Sequence, residues 1–176
     1  WTNVNVSDNT IDGFVGATFP NGAGVSFTPT GLAPRDVVVS GNAITRCLHG
    51  ITAKGVNNVH LASTYNITGN TISYCAGPIS DPTNVVMLDR AVFGIAMEFC
   101  EDFMVSSNVI SDCGTINFPN GGAAAPAGTE STIGICAQNC TQYSIHGNRI
   151  HELISTGQGI TVPIQAVNAV VGVGAA

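Results

Sequence analysis

Charge is scarce in this chain. Only 9% of its residues are Asp, Glu, Lys or Arg, against roughly a quarter in ordinary soluble domains. The five cations, Arg35, Arg46, Lys54, Arg90 and Arg149, are scattered along the sequence. A groove that tracks phosphates needs neighbouring cations, so no nucleic acid is expected as a partner. Long apolar runs are also missing. No stretch reaches the roughly 18 residues that a spanning helix requires, so no membrane span is expected. Helical periodicity is absent, because Gly or β-branched residues interrupt every stretch long enough to test. Cys136 and Cys140 lack a second Cys or His pair at zinc-ligand spacing, so neither a metal nor a cofactor is expected. The sequence begins at Trp1, so a further N-terminal part is expected, carrying any targeting signal.

What is present narrows the class. The chain has the length of one domain, is 44% hydrophobic and holds 21 glycines. That hydrophobicity excludes disorder. The net charge is −6, and with so little charge the surfaces must be covered by Ser, Thr and Asn, or by other chains.

One short phrase recurs: "SDNTIDGF" at 7, "SGNAITRC" at 40, "TGNTISYC" at 68, "SSNVISDC" at 106 and "HGNRIHEL" at 146. Taking Asn9, Asn42, Asn70, Asn108 and Asn148 as anchors, the intervals are 33, 28, 38 and 40 residues. Two positions after each anchor stands Ile11, Ile44, Ile72, Ile110 or Ile150. Five before stands Val4, Val37, Tyr65, Phe103 or Tyr143, and three before stands Val6, Val39, Ile67, Val105 or Ile145. A spacing of two marks a strand with one buried face. A second phrase lies between the anchors: Gly24-Val25, Gly50-Ile51, Gly94-Ile95, Gly134-Ile135 and Gly159-Ile160, each opening another alternating stretch.

Each repeat thus holds three short strands, and one repeat alone cannot bury its apolar face. Stacking the copies does. The sequence predicts an all-β fold, a parallel β-helix of about five coils with three strands per coil. Asn is expected to mark a sharp bend, since it tolerates the left-handed backbone region. Residues 1–162 form the β-helix in this reading. Residues 163–176, including the apolar "AVNAVVGVGAA", form a tail that caps an end or joins an oligomer interface.

The "V-x-V-x-G-N-x-I" pattern resembles the repeat of the pectin-lyase-like parallel β-helix superfamily, which includes bacteriophage tailspikes. The resemblance, together with the usual sense of parallel crossovers, implies a right-handed coil. It also implies a polysaccharide partner, a substrate lying along an outward face of stacked strands, and a trimeric or other homo-oligomeric state. The signatures of polygalacturonases and pectate lyases are absent: "LHG" at 48–50 has Leu where the first Gly of "GHG" belongs.

Two segments, 76–92 and 114–132, interrupt the repeat as exposed loops. Loops on one side of a solenoid form its binding face in many cases; packing on a neighbouring subunit is the alternative. Cys47, Cys75 and Cys113 share one register, and Cys100 and Cys140 share another. An inward stack of reduced thiols is expected, although adjacent coils fall within disulfide reach. His49, His60 and His146 occupy different registers and are expected at the surface.

Outward columns supply the candidate site. Four residues after the repeat Gly come Thr28, Lys54, Glu98 and Gln138; two after it come Ser26, Thr52, Ala96, Cys136 and Thr161. Glycoside hydrolysis requires two carboxyl groups roughly 5–10 Å apart. Glu98 with Glu101 or Asp102 is the densest such set, weighed against a solvent-exposed Lys54–Glu98 ion pair beside an acidic turn. Asp112 and Glu152, four after their anchors, form a second possible pair beside Arg46 and Tyr74. Thr28, Thr52, Lys54 and Gln138 are the candidate substrate-binding residues. The leading functional expectation is a tailspike-like β-helix, extracellular or in a virion, that binds, or binds and cleaves, a bacterial surface polysaccharide. The alternatives are a non-catalytic structural virion protein, such as a capsid decoration or fibre domain, and a fragment of a secreted polysaccharide lyase or glycoside hydrolase.

Overall fold

A computed structural model describes residues 2–13, 22–29, 31–57, 61–75, 91–114, 131–154 and 161–167. Each coil gives one strand to each of three sheets. Sheet A holds β1 (Thr2–Ser7), β4 (Arg35–Ser40), β7 (Ala62–Thr68), β10 (Cys100–Ser106) and β13 (Thr141–His146). Sheet B holds β2 (Thr10–Asp12), β5 (Ala43–Thr45), β8 (Thr71–Ser73), β11 (Val109–Ser111) and β14 (Arg149–His151). Sheet C holds β3 (Ala23–Phe27), β6 (His49–Lys54), β9 (Ala91–Glu98), β12 (Ser131–Gln138) and β15 (Thr161–Val167). Every neighbouring pair is parallel, and the chain visits A, B and C in turn. The protein is a parallel β-helix of five coils, as the repeat predicts.

The registers place like residues above like. Ile11, Ile44, Ile72, Ile110 and Ile150 are successive partners in sheet B. Val4, Val37, Tyr65, Phe103 and Tyr143 are partners in sheet A. These columns meet inside the coil with Val25, Phe27, Ile51, Ile95, Met97 and Ile135 from sheet C to form one continuous core. Aromatic rings order it locally. Phe103 stacks on Tyr143 with centroids 5.0 Å apart, and Phe27 meets Tyr65 edge-on at 5.6 Å. Phe27 and Tyr65 come from different sheets, so this contact ties sheet C to sheet A.

The anchors work differently from the sequence expectation. None of the five Asn residues takes a positive φ; the residue before each one does, at 58° for Asp8, 65° for Gly41, 66° for Gly69, 57° for Ser107 and 64° for Gly147. The bend is therefore made one position earlier. The Asn amide is left free to reach between coils. Asn70 Oδ1 accepts from the Asn42 N–H at 3.0 Å and from Asn42 Nδ2 at 2.9 Å. Asn70 Nδ2 donates to Asn108 Oδ1 at 2.9 Å and to the Val39 carbonyl at 2.9 Å. The same pattern runs from Asn9 to Asn148. Asn42, Asn70 and Asn108 are fully buried, and a buried amide must be paired to be tolerated. The ladder thus fixes coil spacing and register together.

Sheet C carries a second apolar cluster on its outward side, made of Phe93, Ala96, Ile133 and Cys136 with Val162 packed against them. It corrects two expectations. Thr52 faces outward, in register with Ser26 and Ala96, but is buried; its hydroxyl donates to Ser26 Oγ at 3.1 Å. His49 is buried, not at the surface. Its Nδ1 accepts the Phe93 N–H at 3.3 Å, and burial pushes its pKa down to about 3. The folded protein therefore holds a neutral imidazole where the unfolded chain takes up a proton below about 6.5. The unfolded state binds more protons in that window, so stability falls as pH drops from about 6.5 toward 3. Denaturation midpoints across this range are expected to decline less steeply in His49→Gln than in the parent. His60 lies outside the described residues, and His146 is exposed.

The fifth coil departs from the expected register. β15 pairs with β12 so that Val162 faces Ile133 and Ile164 faces Ile135. Pro163-Ile164 thereby occupies the place of the repeat Gly-Ile, and Thr161 pairs with Thr132 instead of Cys136. Gly159-Ile160 is outside the described residues. Strand pairing runs through 163–167, and the expected tail beyond 167 lies outside them, as do most of the two loops.

All six cysteines are buried and outside any disulfide. Cys75 lies against Cys113, and Cys100 against Cys140, each across one coil step. The hydrogen bond to Cys113, and then burial, push the Cys75 thiol up; burial is the larger cause at Cys100. Burial pushes Cys136 up to about 12. Thiolate is the reactive form; it is disfavoured at Cys75, Cys100 and Cys136, whereas the hydrogen bond with Cys100 pulls the Cys140 thiol down. All six are closed off by burial, so none is expected to react with an aromatic disulfide reagent in the folded state. All six should react once the chain is denatured, and rapid native labelling of Cys47, Cys75 or Cys113 would contradict the stack.

Candidate functional site

The expected sheet C column is assembled as the register requires: Lys54 pairs with Glu98, and Glu98 with Gln138. Thr28 follows β3 and is exposed. Lys54 Nζ lies 2.7 Å from Glu98 Oε2. The pair is not the solvent-exposed one expected, because Glu98 retains only 4% of its surface. Its carboxylate is enclosed and held by a half-exposed lysine. Phe99, at φ 52°, then turns the chain into β10, which carries Glu101, half-buried, and Asp102, exposed. Glu101 pairs with Ser63 and Thr141 in sheet A. The three carboxylates are thus divided between two sheets around a corner.

The second expected set stands on the corner that closes sheet B. Arg46, Tyr74, Asp112 and Glu152 all take positive φ, between 52° and 54°. Arg46 forms a two-point ion pair with Asp12 of the coil before it. Tyr74 is exposed, Asp112 half-buried and Glu152 exposed. His151 Nδ1 lies 3.8 Å from Glu152 Oε2. Asp112 and Glu152 come from successive coils, whose spacing in any sheet is about 4.8 Å.

A further feature was missed by the sequence reading. On sheet A the first three coils enclose a groove of about 420 Å³, lined by Asn3, Val4 and Asn5, by Asp36, Val37 and Val38, and by Thr64, Tyr65 and Asn66. Asn3, Asp36 and Thr64 hold φ of 57°, 55° and 59°. At these residues the strands kink, and the register skips from Arg35–Ser63 to Val37–Tyr65. The kink opens the groove. Asn5, Val38 and Asn66 are in register across it. Beside them runs a hydroxyl row, with Ser7 Oγ 2.9 Å from Ser40 Oγ, and Ser106 Oγ donating to Thr68 Oγ1 at 3.3 Å. The signal was present as the middle position of "V-x-V", which alternation turns outward.

Among the described residues no group of three or more His, Cys, Asp or Glu is placed to hold a metal ion. No helix among them is long and apolar enough to cross a membrane. No family model, curated protein or solved structure matches the chain.

Proposed function

We propose that this protein is a tailspike-like β-helix, extracellular or carried on a virion, that binds a bacterial surface polysaccharide along the outer face of sheet A. The observation that supports this is the groove. It presents amides from Asn3, Asn5 and Asn66, a hydroxyl from Thr64 and an apolar patch at Val38, repeated at the coil spacing. Neutral amides and hydroxyls both donate and accept, which suits sugar hydroxyls. A rigid, register-locked column holds such groups in place without an ordering cost on binding. Cleavage is the added step. It falls to Asp112 and Glu152, because Glu98 is enclosed and lysine-bound. Homo-oligomer formation belongs to the same proposal. The second reading, a non-catalytic virion component, is favoured by that occupied state of Glu98.

Titration calorimetry against capsule and lipopolysaccharide polysaccharides tests the binding. The parent protein is expected to bind at least one, and Val38→Trp, which fills the groove from an outward position, is expected to abolish it while leaving thermal unfolding unchanged. Failure to bind any polysaccharide, or undiminished binding by Val38→Trp, would overturn the reading. New reducing ends that disappear in Asp112→Asn or Glu152→Gln would add catalysis.

A further inference from the structure

Asp36 occupies the middle coil of the groove. Its neighbours in the same column are Asn3 on the coil before and Thr64 on the coil after, both neutral. Asp36 is exposed, and no Lys, Arg or His is among the described residues that line the groove. Two of the chain's cations are engaged elsewhere, Arg46 with Asp12 and Lys54 with Glu98. The groove lining therefore presents one carboxylate and no cation, surrounded by amides and a hydroxyl, with the exposed Arg35 outside that lining.

A sugar seated over Asp36 takes that carboxylate out of water. Covering a charge without replacing its hydration is unfavourable unless an opposite charge or strong donors arrive with the ligand. A protonated amine supplies both, in a charge-assisted hydrogen bond of about 2.7–2.9 Å. An acidic sugar supplies neither and meets a chain of net charge −6. We infer that the groove selects a glycan bearing an unacetylated amino sugar, with Asp36 holding its ammonium group. Asn3, Asn5, Thr64 and Asn66 take the ring hydroxyls, and Val38 lies against the ring's carbon–hydrogen face. Asp36 thereby determines which glycan is accepted.

This rests on the glycan-binding reading above, and the experiment separates the two. Glucosamine oligomers, their N-acetylated counterparts, neutral glucose oligomers and uronic-acid oligomers of equal length are titrated into the full chain. The glucosamine oligomer is expected to bind at least tenfold tighter than the N-acetylated and neutral ones, and the uronic acid not at all. Asp36→Asn is expected to erase the preference while retaining the weaker neutral binding. Raising the salt concentration should weaken only the amine-bearing ligand. Equal binding of amine, acetamide and neutral oligomers overturns the amine assignment and leaves glycan binding standing. Loss of all binding in Asp36→Asn, with its fold intact by circular dichroism, also overturns the selective role. Binding of oligolysine as tightly as the amino sugar overturns the sugar assignment and shows a general cation site.

Discussion

Gly94→Ala is expected to remove about 3 kcal/mol of folding stability, at the upper end of what overpacking costs. A methyl group on Gly94 would sit 2.6 Å from the Gly134 carbonyl oxygen, 2.7 Å from Ile110 Cγ2 and 3.0 Å from Ile110 Cδ1. Neither neighbour can yield. The carbonyl belongs to the next coil, whose position is set by strand pairing on both sides. Ile110 is fully buried between Ile72 and Ile150 in its column. Gly31 provides the control, since nothing lies within 4 Å of the equivalent position there; Gly31→Ala should change stability by less than about 0.5 kcal/mol. Denaturant midpoints of the two variants decide it, and a mild effect at Gly94 would mean that the coils are not held this close. The same contact explains Pro163. Each repeat Gly is obliged to be small by the coil that follows it, and the fifth coil has no described successor to press on its proline.

This constraint was only partly legible in the sequence. The anchors, the isoleucine column and the strand count could be read because each depends on spacing, and spacing survives without coordinates. The reason for the repeat Gly could not, because it lies in a carbonyl 40 residues further on in the chain, between Gly94 and Gly134. Gly159-Ile160 was mistaken for the fifth copy because a Gly-rich chain supplies such pairs by chance, while the true counterpart, Pro163-Ile164, carries no Gly. Thr52 and His49 were placed at the surface on the assumption that a strand has one wet face. Sheet C has apolar side chains on both, as parallel sheets commonly do. The groove depended on the positive φ of Asn3, Asp36 and Thr64, and no composition or period encodes a local kink in residues so different.

Asn70 is where the ladder can be tested most sharply. Its side chain is fully buried and serves five partners: the Asn42 N–H and Nδ2 as acceptor, and Asn108 Oδ1, the Val39 carbonyl and the Thr68 carbonyl as donor. Asn70→Ala orphans several of these at about 1–3 kcal/mol each, so a loss of about 4 kcal/mol is expected, with no pH dependence beyond that of the parent. Asn70→Asp behaves differently. An ionised carboxylate could still accept from Asn42, but it would face three acceptors with nothing to donate. The carboxyl is therefore expected to stay protonated in the folded state, its pKa raised above the unfolded value of about 3.9. A group with a raised folded pKa favours folding below its unfolded pKa, and that advantage is lost as pH rises through the folded one. The stability gap between Asn70→Asp and the parent should thus be smallest below about pH 4 and widest at neutral pH, while the gap for Asn70→Ala stays flat. Parallel denaturation curves at acid and neutral pH measure both. A gap for Asn70→Asp that widened on acidification would show that the amide donates to nothing, and that the column is held by its backbone alone.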